Sequence, residues 1–590
     1  MTSRTHSAAG FLLAVGCAAT VLATDIQPAA YAPETVQAIK VQTDKAPDCT
    51  SLKSIAETVT RGCTNNDAKA VAILNFILFT FYHQPYAAED GGIPDIKVIH
   101  CYGWGVCGGT HSVQSALWNQ LGWGWRFVSW PGHTTVEAKY DGRWHHLDAF
   151  YKYYAWEPDG KGGQTIASQN EIYDNRKELI DEALIHDVGR KCGYLAADPP
   201  VRADGTVNWQ AREMLDCDDY ELEKDKDGRF EWNISKQRSN MGASDSWAGY
   251  NHADGNYTTA VNLAPGFALE NTWEAMPDAW YWNGKPGNYK YPHHSCGGHK
   301  DTRNNPGYGL IIEPYVNDRC WGNGILTFHA DLSSESALKS FVASENVKVV
   351  KQTLVPADAA KPAFVVVQLA SPYILINAAG EAAGAEKIEV STDDGKTFQP
   401  AELKDFGASV KGKLAAQVKV YVKDALKSLS LRAIVQNNPF ALPYLSPGKN
   451  VVSVSVGDAA ALGPNKLVVT YAYQLGSRSK TYEEIIKMGK RVANQSFAEW
   501  SPTTNYVQKT FTAKELPATF EIDCPTPKGK TAVYPRMVFI RREVVSPSGK
   551  PLPLPENAVA AKPLGADEEL ATLPNPFLLG VTPPALPAKP

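Results

Sequence analysis

The stretch from Cys101 to Phe150 constrains the fold most, because a cysteine, a helical run, a strand and a tight hairpin follow one another with almost no spacer. CYGWGVCGGTHSVQSALWNQLGW opens with glycine-rich chain and becomes helical from about Cys107, with Val113, Ala116, Leu117, Trp118 and Leu121 at helical intervals. Trp125 to Trp130 reads as a strand, Pro131-Gly132 turns the chain, and HTTVEAKY leads through Asp141-Gly142 into RWHHLDAF. Asp-Gly between two alternating runs is a strong hairpin signal, because both central residues of the tightest turn need positive φ. With Tyr140 opposite Arg143, counting outward pairs Thr135 with Asp148 and His133 with Phe150. His133 and Asp148 are then diagonal neighbours on one face, about 7–8 Å apart at the backbone, a gap that polar side chains close.

These residue types suit nucleophilic chemistry. A cysteine at a helix N-terminus meets unpaired amides and the positive end of the helix dipole, and thiols so placed titrate at about 3.5–7.5. Gly105, Gly108 and Gly109 leave room for a substrate backbone to approach. Asp148 would orient His133, His133 would take the proton of Cys107, and the thiolate would attack an amide carbonyl to form a thioester. The acyl group then passes to water or to an amine. Candidate oxyanion donors are the backbone amide of Cys107 and the indole of Trp104. This chemistry asks for no cofactor and no metal.

GVCGGTHSVQSALWNQLGW followed by GHTTVEAKYDGRWHHLD resembles the transglutaminase-like superfamily over roughly residues 60 to 155. The resemblance implies an α+β core of the cysteine-protease fold, a Cys-bearing helix packed on an antiparallel sheet. It also implies Cys107 as nucleophile, His133 as base and Asp148 as orienting carboxylate. The cysteine of animal transglutaminases sits in a Gly-Gln-Cys-Trp setting, whereas Val106 and Gly108 flank Cys107 here, so cross-linking is not part of the expectation. Because the superfamily includes peptidases, amidases and inactive members, the expected activity is hydrolysis or transfer at amide bonds, with a protein or peptide substrate. The rival expectations are a noncatalytic surface-binding protein and a metal-dependent hydrolase.

A chain of 590 residues exceeds a single core at about 100–200 residues per domain. A net charge of -5 gives no basic field for phosphates, so nucleic acid is not an expected partner. Arg4, the apolar run Phe11 to Leu22 and the small-residue end Val21-Leu22-Ala23 read as a secretory signal, residues 1–23, and a secreted or periplasmic protein. Lipidation at Cys17 is the competing reading. No run is long enough for a transmembrane segment. Export favours disulfides. Setting aside Cys17 and Cys107 leaves eight cysteines, with local pairs Cys49–Cys63, Cys192–Cys217 and Cys296–Cys320 plausible and the partners of Cys101 and Cys524 open. Pairing of Cys107 with Cys101 is the structural alternative to a nucleophile.

The expected organisation is a catalytic core over 24–165, an aromatic- and loop-rich extension over 166–335, β-sandwich-like domains over 336–440 and 441–546, and a Pro/Ala-rich disordered tail over 547–590. Asn66 to Tyr82 reads as a buried helix, and Tyr482 to Val492 as a short one. The aromatic stretch containing Trp280 and Trp282 offers candidate substrate-binding residues, and with the sandwiches it makes a glycan or cell-surface contact conceivable. His133, His146 and Asp148, and separately the HHSCGGHKD run from His293 to Asp301, have metal-ligating residue types. EKDKDG at 223–228 reads as a solvated turn, since Ile234 stands where a calcium loop needs its closing glutamate. His111 is placed on the helix flank.

Overall fold

The computed structural model describes residues 30–83, 89, 93–105, 107–130, 133–149, 154–174, 223–224, 230–231, 250–251, 257–281, 321–480, 498–573, 575–578 and 580–583. It is α+β with strands dominant, 42% against 19% helix. The expected signal segment, Trp282, the His293–Asp301 run and the helix expected over 482–492 lie outside the described residues. Among the described residues no helix is long and apolar enough to cross a membrane.

Strand β1 (Val36–Thr43) leads into helices α1 (Leu52–Val59) and α2 (Asn66–Thr80). Ser51 and Ser54 form a reciprocal capping box that starts α1, which turns Leu52, Ile55, Ala56 and Val59 inward. Asn65 caps α2 by accepting from the Ala68 amide at 2.8 Å. Every residue from Ala70 to Thr80 is buried, as expected of a helix apolar on all sides. Helix α3 (Cys107–Gln120) is buried from Gly108 to Trp118 and packs against α1, α2 and the hairpin that follows.

That hairpin belongs to an antiparallel sheet of β2 (Gly124–Trp130), β3 (His133–Tyr140) and β4 (Arg143–His146). The β3–β4 register runs from Tyr140↔Arg143 to Glu137↔His146, the pairing counted from the sequence. Asp141 and Gly142 take φ of 49° and 83°, the twist that a two-residue turn requires. Beside the hairpin lie β5 (Trp156–Pro158), β6 (Gln164–Ile166) and α4 (Gln169–Asp174), joined to it where the His146 amide donates to Ala167 O at 2.9 Å.

The remaining strands are β7 (Val261–Leu263), β8 (Phe267–Thr272), β9 (Gly322–His329), β10 (Phe364–Ala370), β11 (Ile374–Ala383), β12 (Ala385–Ser391), β13 (Ala415–Val422), β14 (Ser428–Asn437), β15 (Gly448–Ser455), β16 (Lys466–Gln474), β17 (Asn505–Phe511), β18 (Ala518–Cys524) and β19 (Arg536–Val545). Their hydrogen bonding does not follow the expected division into two sandwiches. One eight-stranded sheet runs β11-β14-β9-β8-β19-β16-β17 and ends on Val559–Ala560, so β8 and β9 weld strands of the 336–440 stretch to strands of the 441–546 stretch. A second sheet, β7-β1-β15-β18, takes β1 out of the expected catalytic core and pairs Lys40 with Ser455. A third joins β10, β13 and β12 between short edge strands at 343–345 and 399–401. Alternation along a strand identifies its faces; a strand's neighbours can come from anywhere in the chain.

Two further expectations are corrected. None of Cys49, Cys63, Cys101, Cys107 and Cys524 is in a disulfide, so the Cys49–Cys63 bridge is absent; Cys49 is sealed in the core while Cys63 stays partly exposed. Cys101 instead donates to Pro372 O at 3.3 Å, which removes the bridged alternative for Cys107. Cys192, Cys217, Cys296 and Cys320 lie outside the described residues.

The described residues of the expected tail run as a strap over the sheet and α2. Val559–Ala560 adds to β17 in parallel, Glu568–Glu569 pairs with Thr526–Pro527, and Phe577 then docks on α2. Its ring lies 5.4 Å from Phe79, edge-on, and 6.0 Å from Phe76, while Asn75 Nδ2 donates to Phe577 O at 3.0 Å. Tyr154 Oη donates to Gly580 O at 2.8 Å. Proline-rich composition concealed one aromatic anchor. Phe577→Ala is expected to destabilise the protein by about 3–5 kcal/mol, read as a lower denaturant midpoint and as faster proteolysis of the strap.

Candidate active site

Cys107 enters α3 from a turn that the large sheet holds in place. Gly103 has φ of 69°, and a Cβ there would lie 2.5 Å from Asn438 Cγ, so neither the backbone nor the space admits another residue. Asn438, just past β14, donates from Nδ2 to Thr80 O at 3.1 Å and Ile99 O at 2.8 Å, and its backbone amide donates to His100 O at 2.7 Å. Gln436 Nε2 donates to Cys101 O at 2.9 Å. The half-buried Cys107 follows as the first residue of α3.

Cys107, His111 and Gln114 are spaced i, i+4 and i+7, one face of the helix. That face lies on the hairpin. Gln114 Nε2 donates to Leu147 O at 3.2 Å, and His111 Nε2 accepts from the Ala149 amide at 2.9 Å. Thr135 Oγ1 and Asp148 Oδ1 each lie 3.4 Å from the same imidazole nitrogen. An amide can only donate, so Nε2 is the acceptor and the ring proton belongs on Nδ1; the Asp148 approach is then a contact, not an ion pair.

These contacts place His111 beside Thr135 of β3 and beside the residues that follow β4. Going back from His111 to Cys107 is about 6 Å along the helix. Going back from Thr135 to His133 is about 6.7 Å along the strand. Cys107 and His133 thus stand about 6 and about 6.7 Å along their own elements from the His111–Thr135 contact. The imidazole of His133 lies outside the described side chains; Asp148 is fully buried.

Further along the same strand, Glu137 is fully buried opposite His146, gripped by Arg126 at 2.5 Å and by the Gln169 amide at 2.6 Å; burial pushes its carboxyl up. His145 occupies the other face, stacked on Tyr140 at 3.7 Å with Nδ1 2.7 Å from Ile166 O. His111, assigned to the helix flank from sequence, is fully buried. Its i+4 spacing from Cys107 was the available signal.

Trp104 is fully buried, edge-on to Tyr102 at 5.1 Å, and its indole N–H has no hydrogen-bond partner among the described residues. Trp118 within α3 is in the same state. Trp280 is partly buried 6.3 Å from Trp321, in a segment tied to β14 by the Tyr281 amide donating to Gln436 Oε1 at 2.7 Å. Among the described residues no three His, Cys, Asp or Glu side chains group as metal ligands. Lys224 and Phe230 pair across the EKDKDG segment as a short hairpin.

No family description, curated protein or solved structure matches this chain.

The hairpin is braced by Arg143, which bonds both Glu157 of β5 and Glu171 of α4, the latter at 2.6 Å. Burial first, and the neighbouring Glu171 charge second, push Glu157 up to about 7 from its ordinary 4.5, against the pull of Arg143. The native state thus keeps a proton that the unfolded chain has released. This contribution to stability is full below 4.5 and is lost as pH rises through about 7. Glu157→Gln, which mimics the protonated acid, is expected to match wild type near about pH 4 and to exceed it in denaturant midpoint near about pH 8. Midpoints that differ equally at both pH values would contradict this assignment.

Proposed function

We propose that this protein is a secreted, transglutaminase-like thiol enzyme that cleaves or transfers acyl groups at amide bonds, with peptide or protein as substrate. The observation that carries the reading is that His111, one turn on from Cys107, and Gln114 bond the two peptide groups that flank Asp148, with Thr135 of the His133 strand beside His111. In this mechanism Asp148 orients His133, and His133 accepts the Cys107 proton. The thiolate adds to the amide carbonyl, the amine leaves with the proton from the imidazolium, and the thioester is resolved by water or an amine.

The start of α3 favours the anionic thiolate, and the Cys107 amide is the nearest candidate donor to the oxyanion. Trp104 is the second candidate, since its buried N–H, without a partner among the described residues, would gain from a developing anion. Trp280 and Trp282 are kept as candidates for binding flanking substrate or glycan.

Thiol labelling tests the reading with internal controls. Burial pushes Cys101 up to about 12 and raises Cys49 and Cys524 further, so these thiols stay unreactive. Iodoacetamide is expected to modify Cys107 with a pH midpoint well under the free-thiol value of about 8.5. Cys107→Ala should abolish cleavage, deamidation and amine incorporation when a peptide library with a primary amine is read by mass. A Cys107 midpoint at the free-thiol value would remove the catalytic assignment.

A further inference from the structure

We infer that His111 and Gln114 are positioning residues that hold Asp148 in register with Cys107; this rests on the thiol mechanism above. The Leu147 carbonyl and the Asp148 amide share one rigid peptide plane, and the Asp148 carbonyl and the Ala149 amide share the next. Gln114 bonds the first plane through Leu147 O at 3.2 Å, and His111 bonds the second through the Ala149 amide at 2.9 Å. Both peptide planes flanking the carboxylate are therefore tied to the helix that begins at the nucleophile. The spacing between thiol and carboxylate is thereby tied to the helix as well as to the hairpin that carries Asp148.

The residue types fit this role. Both side chains are fully buried, where a leucine would pack without needing any polar partner. An imidazole in this position is useful because Nε2 is an acceptor at the reach the Ala149 amide requires. With that nitrogen occupied by the Ala149 amide, His111 takes no proton-transfer part through it.

The test measures Cys107 alkylation against pH, alongside denaturant midpoints, for the full chain and its variants. His111→Leu removes the acceptor and is expected to raise the Cys107 pH midpoint and slow labelling near about pH 6 by about tenfold to a hundredfold. Gln114→Leu should act in the same direction, and the double variant should lose less than the product of the two, because both act on one residue. His111→Gln, whose Oε1 reaches as far as Nε2, should restore labelling, whereas the shorter His111→Asn should not. This rescue decides the matter even if the leucine variant fails to fold.

A merely structural histidine predicts the opposite pattern: lower stability with an unchanged midpoint, or Gln and Asn labelling alike. Either result overturns the inference. A wild-type midpoint at about 8.5 would instead defeat the thiol mechanism itself, so the two failures are distinguishable.

Discussion

The carboxamide of Asn438 is the junction on which the arrangement depends. It satisfies the carbonyl at the end of α2 and one in the turn before Cys107, while its oxygen accepts from the Phe440 amide at 3.0 Å. Each buried group left unpaired there would cost about 1–3 kcal/mol. The asparagine stands so close to Gly103 that a side chain there would collide with it. The geometry at the cysteine is therefore inherited from the end of β14 as much as from the helices around it.

Much of the local structure was legible in the sequence. The hairpin register followed from Asp141-Gly142 and strict alternation, and the helix beginning at Cys107 followed from apolar spacing. The strand-rich character expected beyond residue 336 rests on runs such as Arg536 to Val545, half of it Val, Ile and Phe. Ile374–Ala383 escaped notice because AAGEAA carries none of that signal; its hydrogen bonds to β14 make it a strand. Pairing was the larger loss. β1 lies some four hundred positions from its partner β15, and nothing in either run names the other.

The candidate site was legible in its members but not in its mounting. Helical period puts residues 107, 111 and 114 on one face whether that face meets solvent or a sheet, so the burial of His111 could not be read from spacing alone. Its contacts with Thr135, Asp148 and Ala149 depend on how α3 lies against β3. The same limit applied to the thiols. The expectation of export argued for bridges, yet Cys101 spends its sulfur on a carbonyl of a loop 271 residues away.

The docking of Phe577 on α2 spans 502 positions. Contacts of such separation are slow to form, because the entropy of closing the intervening chain must be overcome before they contribute. During synthesis the helices around Cys107 emerge early, but the aromatic ring that completes the packing of α2 arrives only after every intervening sheet strand has been made. The face of α2 that Phe577 covers thus stays open until the end of synthesis, while its other sides close early against α1 and α3.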